Sequence, residues 1–189
     1  VTNGRLASGS NYEGAGIYNL GTLSLNNCVV TNNSAATTSG SLNARGAGIN
    51  SSGTLNITNS TISFNSMTVV GGVHAGGGIH HSNGTMTITN STVSNNSING
   101  SGVAISSGGG ISVNSGTATL RNTTVAANSS ISQTANSARG GGINRDSGTV
   151  NLQNSIIAGN SVGGGFGNQG IDVSGAFASQ GNNLIGDTN

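Results

Sequence analysis

Residues 76–97 read GGGIHHSNGTMTITNSTVSNNS, and this stretch holds one full copy of a motif that recurs five times in the chain. The motif joins a glycine block ending in isoleucine, a Gly-Thr pair, an alternating apolar and polar run, an asparagine, and a closing aliphatic-x-x-Asn-Ser segment. The glycine blocks begin at residues 14, 46, 76, 108 and 140, so the spacings are 32, 30, 32 and 32 residues. Self-similarity at such a period is typical of a solenoid, in which one repeat cannot bury its own apolar face.

The alternating runs predict β-strands with one buried face, because side chains of successive strand residues point to opposite sides. Met86-Thr87-Ile88 is one example, and each repeat has a counterpart. A helical reading fails on composition, since the chain contains 34 glycines and few strong helix formers. The sequence therefore predicts an all-β, single-stranded parallel β-helix of about five to six coils. We expect three short strands per coil, with coils stacked at about 4.8 Å.

The chain of 189 residues is interpreted as a single β-helix domain. Residues 1–13 form a partial first coil, 14–169 form the five repeats, and 170–189 form a closing coil. Val1-Thr2-Asn3-Gly4 aligns with Val30-Thr31-Asn32-Asn33, so the first residues are expected to lie inside a coil. The linkers between coils, residues 35–45, 67–75, 98–107, 130–139 and 162–169, vary in sequence and are expected to be loops leaving one corner of the solenoid.

One asparagine per repeat follows the alternating run and is expected inside the solenoid. Stacked amides bond to one another above and below, which satisfies backbone groups at a bend. The predicted internal asparagine ladder is Asn27, Asn59, Asn90, Asn122 and Asn154.

Composition excludes several classes of protein. Only 5% of the residues are charged and the net charge is +1, with five arginines that make no basic stripe, so no nucleic acid partner is expected. No segment reaches the length of an apolar membrane span, and the single cysteine, Cys28, cannot form an internal disulfide. The sequence predicts no cofactor.

Neither a catalytic pair nor a metal site is predicted. Glycoside hydrolysis requires two carboxylates at a defined separation, and the acidic residues are only Glu13, Asp146, Asp172 and Asp187. Glu13 is expected to form a surface ion pair with Arg45 of the next coil. Three histidines of one coil are zinc or copper ligands in principle, but they are expected to be solvated surface residues: His74, His80 and His81. A polysaccharide-active enzyme stays an alternative.

The outward side of the alternating run is the candidate binding face. Its hydroxyl-bearing positions are Thr22, Thr54, Thr85, Thr87, Thr117, Thr119 and Thr149. Regular threonine columns on a β-solenoid resemble the ice-binding face of some antifreeze proteins, so ice binding is a second alternative. Threonine is also a favourable strand residue in its own right.

Two motifs carry a family resemblance. The glycine block ending in isoleucine, paired with the aliphatic-x-x-Asn block, resembles the repeat of bacterial polymorphic outer-membrane proteins, with Val30, Ile62, Val93, Val125 and Ile157 in place of the family's phenylalanine. The segment 170–187 is similar to the closing coil of CSLREA-type bacterial surface proteins. The resemblance implies a right-handed β-helix, an extracellular or cell-surface location, and a structural or adhesive role without catalytic residues. Expected partners are cell-surface glycans or proteins, or further copies stacked end to end into a filament.

Overall fold

The computed structural model describes residues 1–7, 11–37, 42–133, 138–164 and 170–188. These residues form strands and turns and contain no helix. All strand pairs are parallel, and each strand pairs with its equivalents in the neighbouring coils. The predicted parallel β-helix is therefore confirmed, with about five turns and a repeat near 32 residues.

Four sheets run along the solenoid, and each is named here by its composition. The isoleucine sheet contains Ile17–Asn19, Ile49–Ser51, Ile79–His81, Ile111–Val113, Ile143–Arg145 and Val173–Ser174. The threonine sheet contains Thr22–Asn26, Thr54–Thr58, Thr85–Thr89, Thr117–Arg121, Thr149–Gln153 and Ala178–Ser179. The valine sheet contains Val29–Thr31, Thr61–Ser63, Thr92–Ser94, Thr124–Ala126, Ile156–Ala158 and Leu184–Ile185. The linker sheet contains Arg5–Leu6, Tyr12–Glu13, Ser34–Ala36, Ala44–Arg45, Ser66–Ala75, Ser97–Ser107, Ser129–Ser132, Ala138–Arg139 and Ser161–Gly164.

The main core is built from aliphatic columns that continue from coil to coil. Ile79 stands in register between Ile49 and Ile111, and Ile88 stands between Ile57 and Leu120. All of these side chains are fully buried. The alignment of the first residues with the repeat is also confirmed, because Thr2 pairs with Thr31 and Arg5 pairs with Ser34.

The linkers differ from the prediction, because their described parts form a fourth sheet instead of loops; residues 38–41, 134–137 and 165–169 of the linkers lie outside the described residues. Ser66–Ala75 and Ser97–Ser107 are long strands that pair with each other and bend at a register shift between Val70 and Gly72. Gly71 and Gly72 have φ angles of 65° and 87° at this bend, a conformation that glycine adopts without steric cost. Met67, Val69, Ile98 and small residues bury a second, smaller core beneath the strands. Alternating apolar side chains therefore give these strands a buried face, which is difficult to recognise in the sequence because the linkers vary in composition.

The prediction of the internal asparagine ladder is wrong in its column. Asn27, Asn59, Asn90, Asn122 and Asn154 have φ angles between 48° and 55° and are all exposed at the surface. Asparagine tolerates this left-handed conformation better than other non-glycine residues, so these residues make the turn between the threonine and valine sheets. Their amides lie outside the solenoid.

The buried ladder is the asparagine that closes each repeat: Asn33, Asn65, Asn96, Asn128 and Asn160. Asn96 shows the pattern. Its Nδ2 donates to Asn128 Oδ1 and to the Ile62 carbonyl, both at 3.0 Å. Its Oδ1 accepts from the backbone N–H of Asn65 at 3.0 Å and from Asn65 Nδ2 at 2.9 Å. Four buried groups of the corner are thereby satisfied by one side chain.

The third residue of each glycine block faces this ladder, and the contact explains why the two motifs recur together. A Cβ atom on Gly78 would lie 2.9 Å from Asn96 Cγ and 2.7 Å from the Gly110 carbonyl oxygen. Gly110 meets Asn128 in the same way, at 2.9 Å. Only glycine leaves room for the amide at this corner.

Asp172 closes the ladder at its C-terminal end. Asp172 Oδ1 accepts from the Nδ2 and the backbone N–H of Asn160, both at 2.8 Å, and Oδ2 accepts from the backbone N–H of Asp187 at 2.7 Å. The side chain is 3% exposed. Asp172 occupies the position after Gly142 in the column formed by the third glycine of each block. From there its carboxylate accepts the hydrogen bond that Asn160 Nδ2 would otherwise donate to the asparagine of a further repeat.

Candidate binding face

The threonine sheet presents three polar columns to the outside. Thr22, Thr54, Thr85, Thr117 and Thr149 stand in one register, and Ser24, Asn56, Thr87, Thr119 and Asn151 stand in the next. The third column is Asn26, Thr58, Thr89, Arg121 and Gln153. Each of these side chains is exposed or half-buried, whereas the intervening residues point inward. The structure therefore places the seven predicted threonines on one outer face and leaves their role in binding as a prediction.

The Gly-Thr pair fixes the first column. The Thr54 N–H donates to the Gly21 carbonyl of the preceding coil at 2.8 Å, and the Thr117 N–H donates to the Gly84 carbonyl at 2.9 Å. A Cβ on Gly53 would lie 2.1 Å from the Gly21 carbonyl oxygen, so a larger residue would push the coils apart. The glycine thus lets each threonine sit directly above its counterpart.

The turn asparagines form the opposite edge of this face. The exposed Asn122 Nδ2 donates to Asn90 Oδ1 at 3.0 Å, so these amides bond between coils at the surface. Arg121 Nε donates to Gln153 Oε1 at 3.2 Å, which places two long side chains on the third column. These asparagines are predicted in the interior, but the preference of asparagine for left-handed turns is a signal for an outer edge.

The size of the face limits what it can bind. Five strands at about 4.8 Å span about 19 Å, and five residues at about 3.3 Å cover about 13 Å, so the flat area is roughly 250 Å². A standard protein interface buries about 800 Å² on each partner. The face is therefore suited to a small contact, such as a short glycan segment.

The three histidines are buried, so their prediction as solvated surface residues is wrong. His74 and His81 are 0% exposed and His80 is 2% exposed. His80 Nδ1 lies 2.9 Å from Asn50 Oδ1, and burial, together with the charges of Arg45 and His81, lowers the pKa of His80 from 6.5 to about 3. Burial also lowers the pKa values of His74 and His81. His74 belongs to the linker sheet, and His80 lies close enough to Arg45 of that sheet for its charge to act on the imidazole. His81 takes the inward position that Val113 holds in the next coil, where Val113 is part of the main core.

The acidic side chains are engaged in structural contacts. Glu13 forms the predicted ion pair with Arg45 at 3.4 Å. Asp172 is buried at the end of the ladder, and Asp146 Oδ1 accepts from Asn144 Nδ2 at 2.9 Å. Within the described ranges no three or more histidine, cysteine or acidic side chains are grouped as a metal site.

The chain matches no family model, no curated protein and no solved structure. Helices long and apolar enough to cross a membrane are not found among the described residues.

Proposed function

We propose that this chain is a non-catalytic, extracellular structural and adhesive module of a bacterial surface protein, and that the threonine sheet is its contact face for cell-surface glycans. One observation carries the proposal: polar side chains of five stacked strands stand in unbroken register on one outer face. The family resemblance of the repeat motifs supports the cellular setting.

The chemistry of the face suits neutral sugars. Hydroxyl and amide groups both donate and accept hydrogen bonds, as sugar hydroxyls do. The strands beneath are fixed on both sides by parallel pairing, so little conformational entropy is lost when a ligand binds. Each contact is small, and strong adhesion requires many copies that bind at once.

The test compares two lysine substitutions in the same coil. Thr87→Lys places a long charged side chain on the threonine sheet, and Thr92→Lys makes the same change on the valine sheet, where the threonine is half-buried as well. The protein is displayed on streptavidin beads, and its retention on chitin and on mucin-coated surfaces is measured. We expect Thr87→Lys to reduce retention roughly tenfold, about 1.4 kcal/mol, and Thr92→Lys to leave it unchanged. Equal loss in both variants, or no retention of the unmodified protein, would refute the proposal.

End-to-end stacking is a separate part of the proposal. Leu184 in the last strand of the valine sheet is 59% exposed, so an apolar side chain is available at that end of the described solenoid. Sedimentation velocity at increasing concentration is expected to show assembly that Leu184→Lys abolishes. A protein that stays monomeric, with no difference for Leu184→Lys, contradicts stacking without affecting the adhesive face.

Ice binding is the second candidate function. It is favoured by the first outer column, in which all five residues are threonine. The mixed second column and the long Arg121 and Gln153 side chains of the third column disfavour it, because they interrupt a flat, uniform array. Thermal hysteresis measured with the unmodified protein and with Thr87→Lys distinguishes the two functions. Hysteresis that disappears in Thr87→Lys supports ice binding, and a freezing point equal to the melting point excludes it.

A further inference from the structure

We propose that a cleft at the C-terminal end of the threonine face binds a carboxylated sugar of the uronic acid type. The cleft has a volume of about 260 Å³ and is lined by Arg145, Thr149, Ala176, Phe177 and Ala178, among others. This volume is just below the roughly 300 Å³ at which ligand pockets of proteins begin, and it suits one sugar ring. The inference rests on the adhesive function proposed above and assigns it a specific anionic ligand.

The cleft exists because the last coil changes residue size at three positions. Gly175 follows Arg145 in its column, and a Cβ there would lie 2.5 Å from the Arg145 carbonyl oxygen and 3.1 Å from its Cβ. The first two outer columns of the threonine sheet are followed by Ala176 and Ala178 instead of residues with hydroxyl or amide groups. Arg145 is therefore left uncovered beside two methyl groups.

Arg145 supplies the anion-binding group. Its Nε donates to the Gly148 carbonyl at 3.0 Å, which holds the guanidinium at the corner. Within the described part of the chain its two terminal nitrogens have no acceptor, and the neighbouring Asp146 is bonded to Asn144 instead. A guanidinium that is oriented but not neutralised matches the two oxygens of a carboxylate. The equivalent positions of the other coils hold Asn19, Ser51, His81 and Val113, so this charge belongs to one coil.

Phe177 supplies the apolar wall. It packs against the main core while also lining the cleft, so part of the ring is fixed and part is accessible. An aromatic ring presents a flat apolar surface to the C–H face of a pyranose. Thr149 lies on the same cleft and provides a hydroxyl for the ring hydroxyls of the sugar. Cation, flat apolar wall and hydroxyl together distinguish a uronic acid from a neutral sugar and from a simple anion.

The experiment is an NMR titration of the full chain, labelled with ¹⁵N, against three probes. Methyl β-D-glucuronide carries both ring and carboxylate, methyl β-D-glucoside lacks the carboxylate, and N-acetylglycine lacks the sugar. We expect saturable amide shifts at Thr149, Phe177 and Ala178 with the glucuronide, and affinity at least tenfold weaker for the other two probes. Equal affinity for the glucoside overturns the role of Arg145. Equal affinity for N-acetylglycine overturns the sugar assignment and indicates a peptide carboxylate site.

Two arginine substitutions complete the test. Arg145→Gln is expected to lose at least tenfold in glucuronide affinity, whereas Arg5→Gln, at an exposed position of the linker sheet outside the cleft, is expected to lose none. If Arg145→Gln disturbs the amide spectrum as a whole, Arg145→Lys takes its place, with a smaller loss because lysine cannot form the paired contact. Unchanged affinity in the chosen Arg145 variant overturns the proposal. Retention on chitin, which has no carboxylate, should persist in that variant, so failure of the cleft and failure of the adhesive face are separable.

Discussion

Replacement of Asn96 by leucine tests the buried amide ladder at its centre. Leucine has the same number of side-chain heavy atoms and the same branching but no polar atoms, so the substitution removes four buried hydrogen bonds. The backbone N–H of Asn65 loses the acceptor that Asn96 Oδ1 provides, which costs about 1–3 kcal/mol for an unsatisfied buried donor. The other three bonds contribute about 1 kcal/mol each. The expected loss is therefore about 4–6 kcal/mol, a large part of the total stability of a typical domain.

The measurement combines urea unfolding, followed by circular dichroism, with hydrogen exchange. Loss of protection is expected first around Asn65 and Asn128, because the repeats depend on their nearest neighbours. Asn90→Gly is the matched control: Asn90 belongs to the same coil, is exposed, and has a φ of 50° that glycine adopts freely. Its effect should stay within about 0.5 kcal/mol. A loss below about 1 kcal/mol for Asn96→Leu, or an equal loss for Asn90→Gly, would contradict the assignment of the ladder.

Three further outcomes follow from the fold. Asp172→Asn places an amide N–H donor against either the Asp187 N–H or the Asn160 amide, which are themselves donors. The free energy of unfolding should fall by about 2 kcal/mol, and hydrogen exchange in the fifth coil should be faster. Unchanged exchange counts against the capping role of Asp172. His80 is neutral in the folded protein at pH 4.5 and gains one proton on unfolding, because its pKa rises from about 3 to 6.5. Its contribution to the free energy of unfolding is therefore complete above pH 6.5 and falls by about 3 kcal/mol at pH 4.5. His80→Asn should flatten this part of the plot of unfolding free energy against pH, and an unaltered plot refutes the expectation. Gly78→Ala should cost more than about 2 kcal/mol in urea unfolding, whereas Gly21→Ala, with no atom within 4 Å of the added Cβ, should be tolerated; equal effects would exclude the steric explanation.

The sequence predicted the solenoid well because its period and its buried columns are local, repeated signals. Ile79 and Ile88 each have an aliphatic counterpart in every neighbouring coil, and stacking is the one arrangement that buries them all. Two asparagine columns had equally regular spacing, so regularity alone could not identify the buried one. The contact between Gly78 and Asn96 decides the question, and it joins residues that lie far apart in the motif.

The features that were missed depend on contacts between different segments of a coil. The linkers vary in sequence, and the burial of Met67 and Val69 appears only once neighbouring strands pair. His81 is buried because it takes the inward position that Val113 holds in the next coil, and a histidine in that column gives no apolar signal in the sequence. The threonine face was predictable from alternation, but the cleft was not, since it arises where Gly175 leaves Arg145 uncovered.

The buried ladder gives the solenoid a dipole moment along its axis. Every amide in it donates from Nδ2 toward the C-terminal coil and accepts at Oδ1 from the N-terminal side, so the amide dipoles all add. A peptide-like group carries a dipole of roughly 3.5 D, and aligned dipoles act like partial charges at the two ends of the row. The positive end faces Asp172, whose carboxylate stands there as an acidic residue stands at the N-terminus of an α-helix. An all-β protein thus has the axial polarity usually associated with helices.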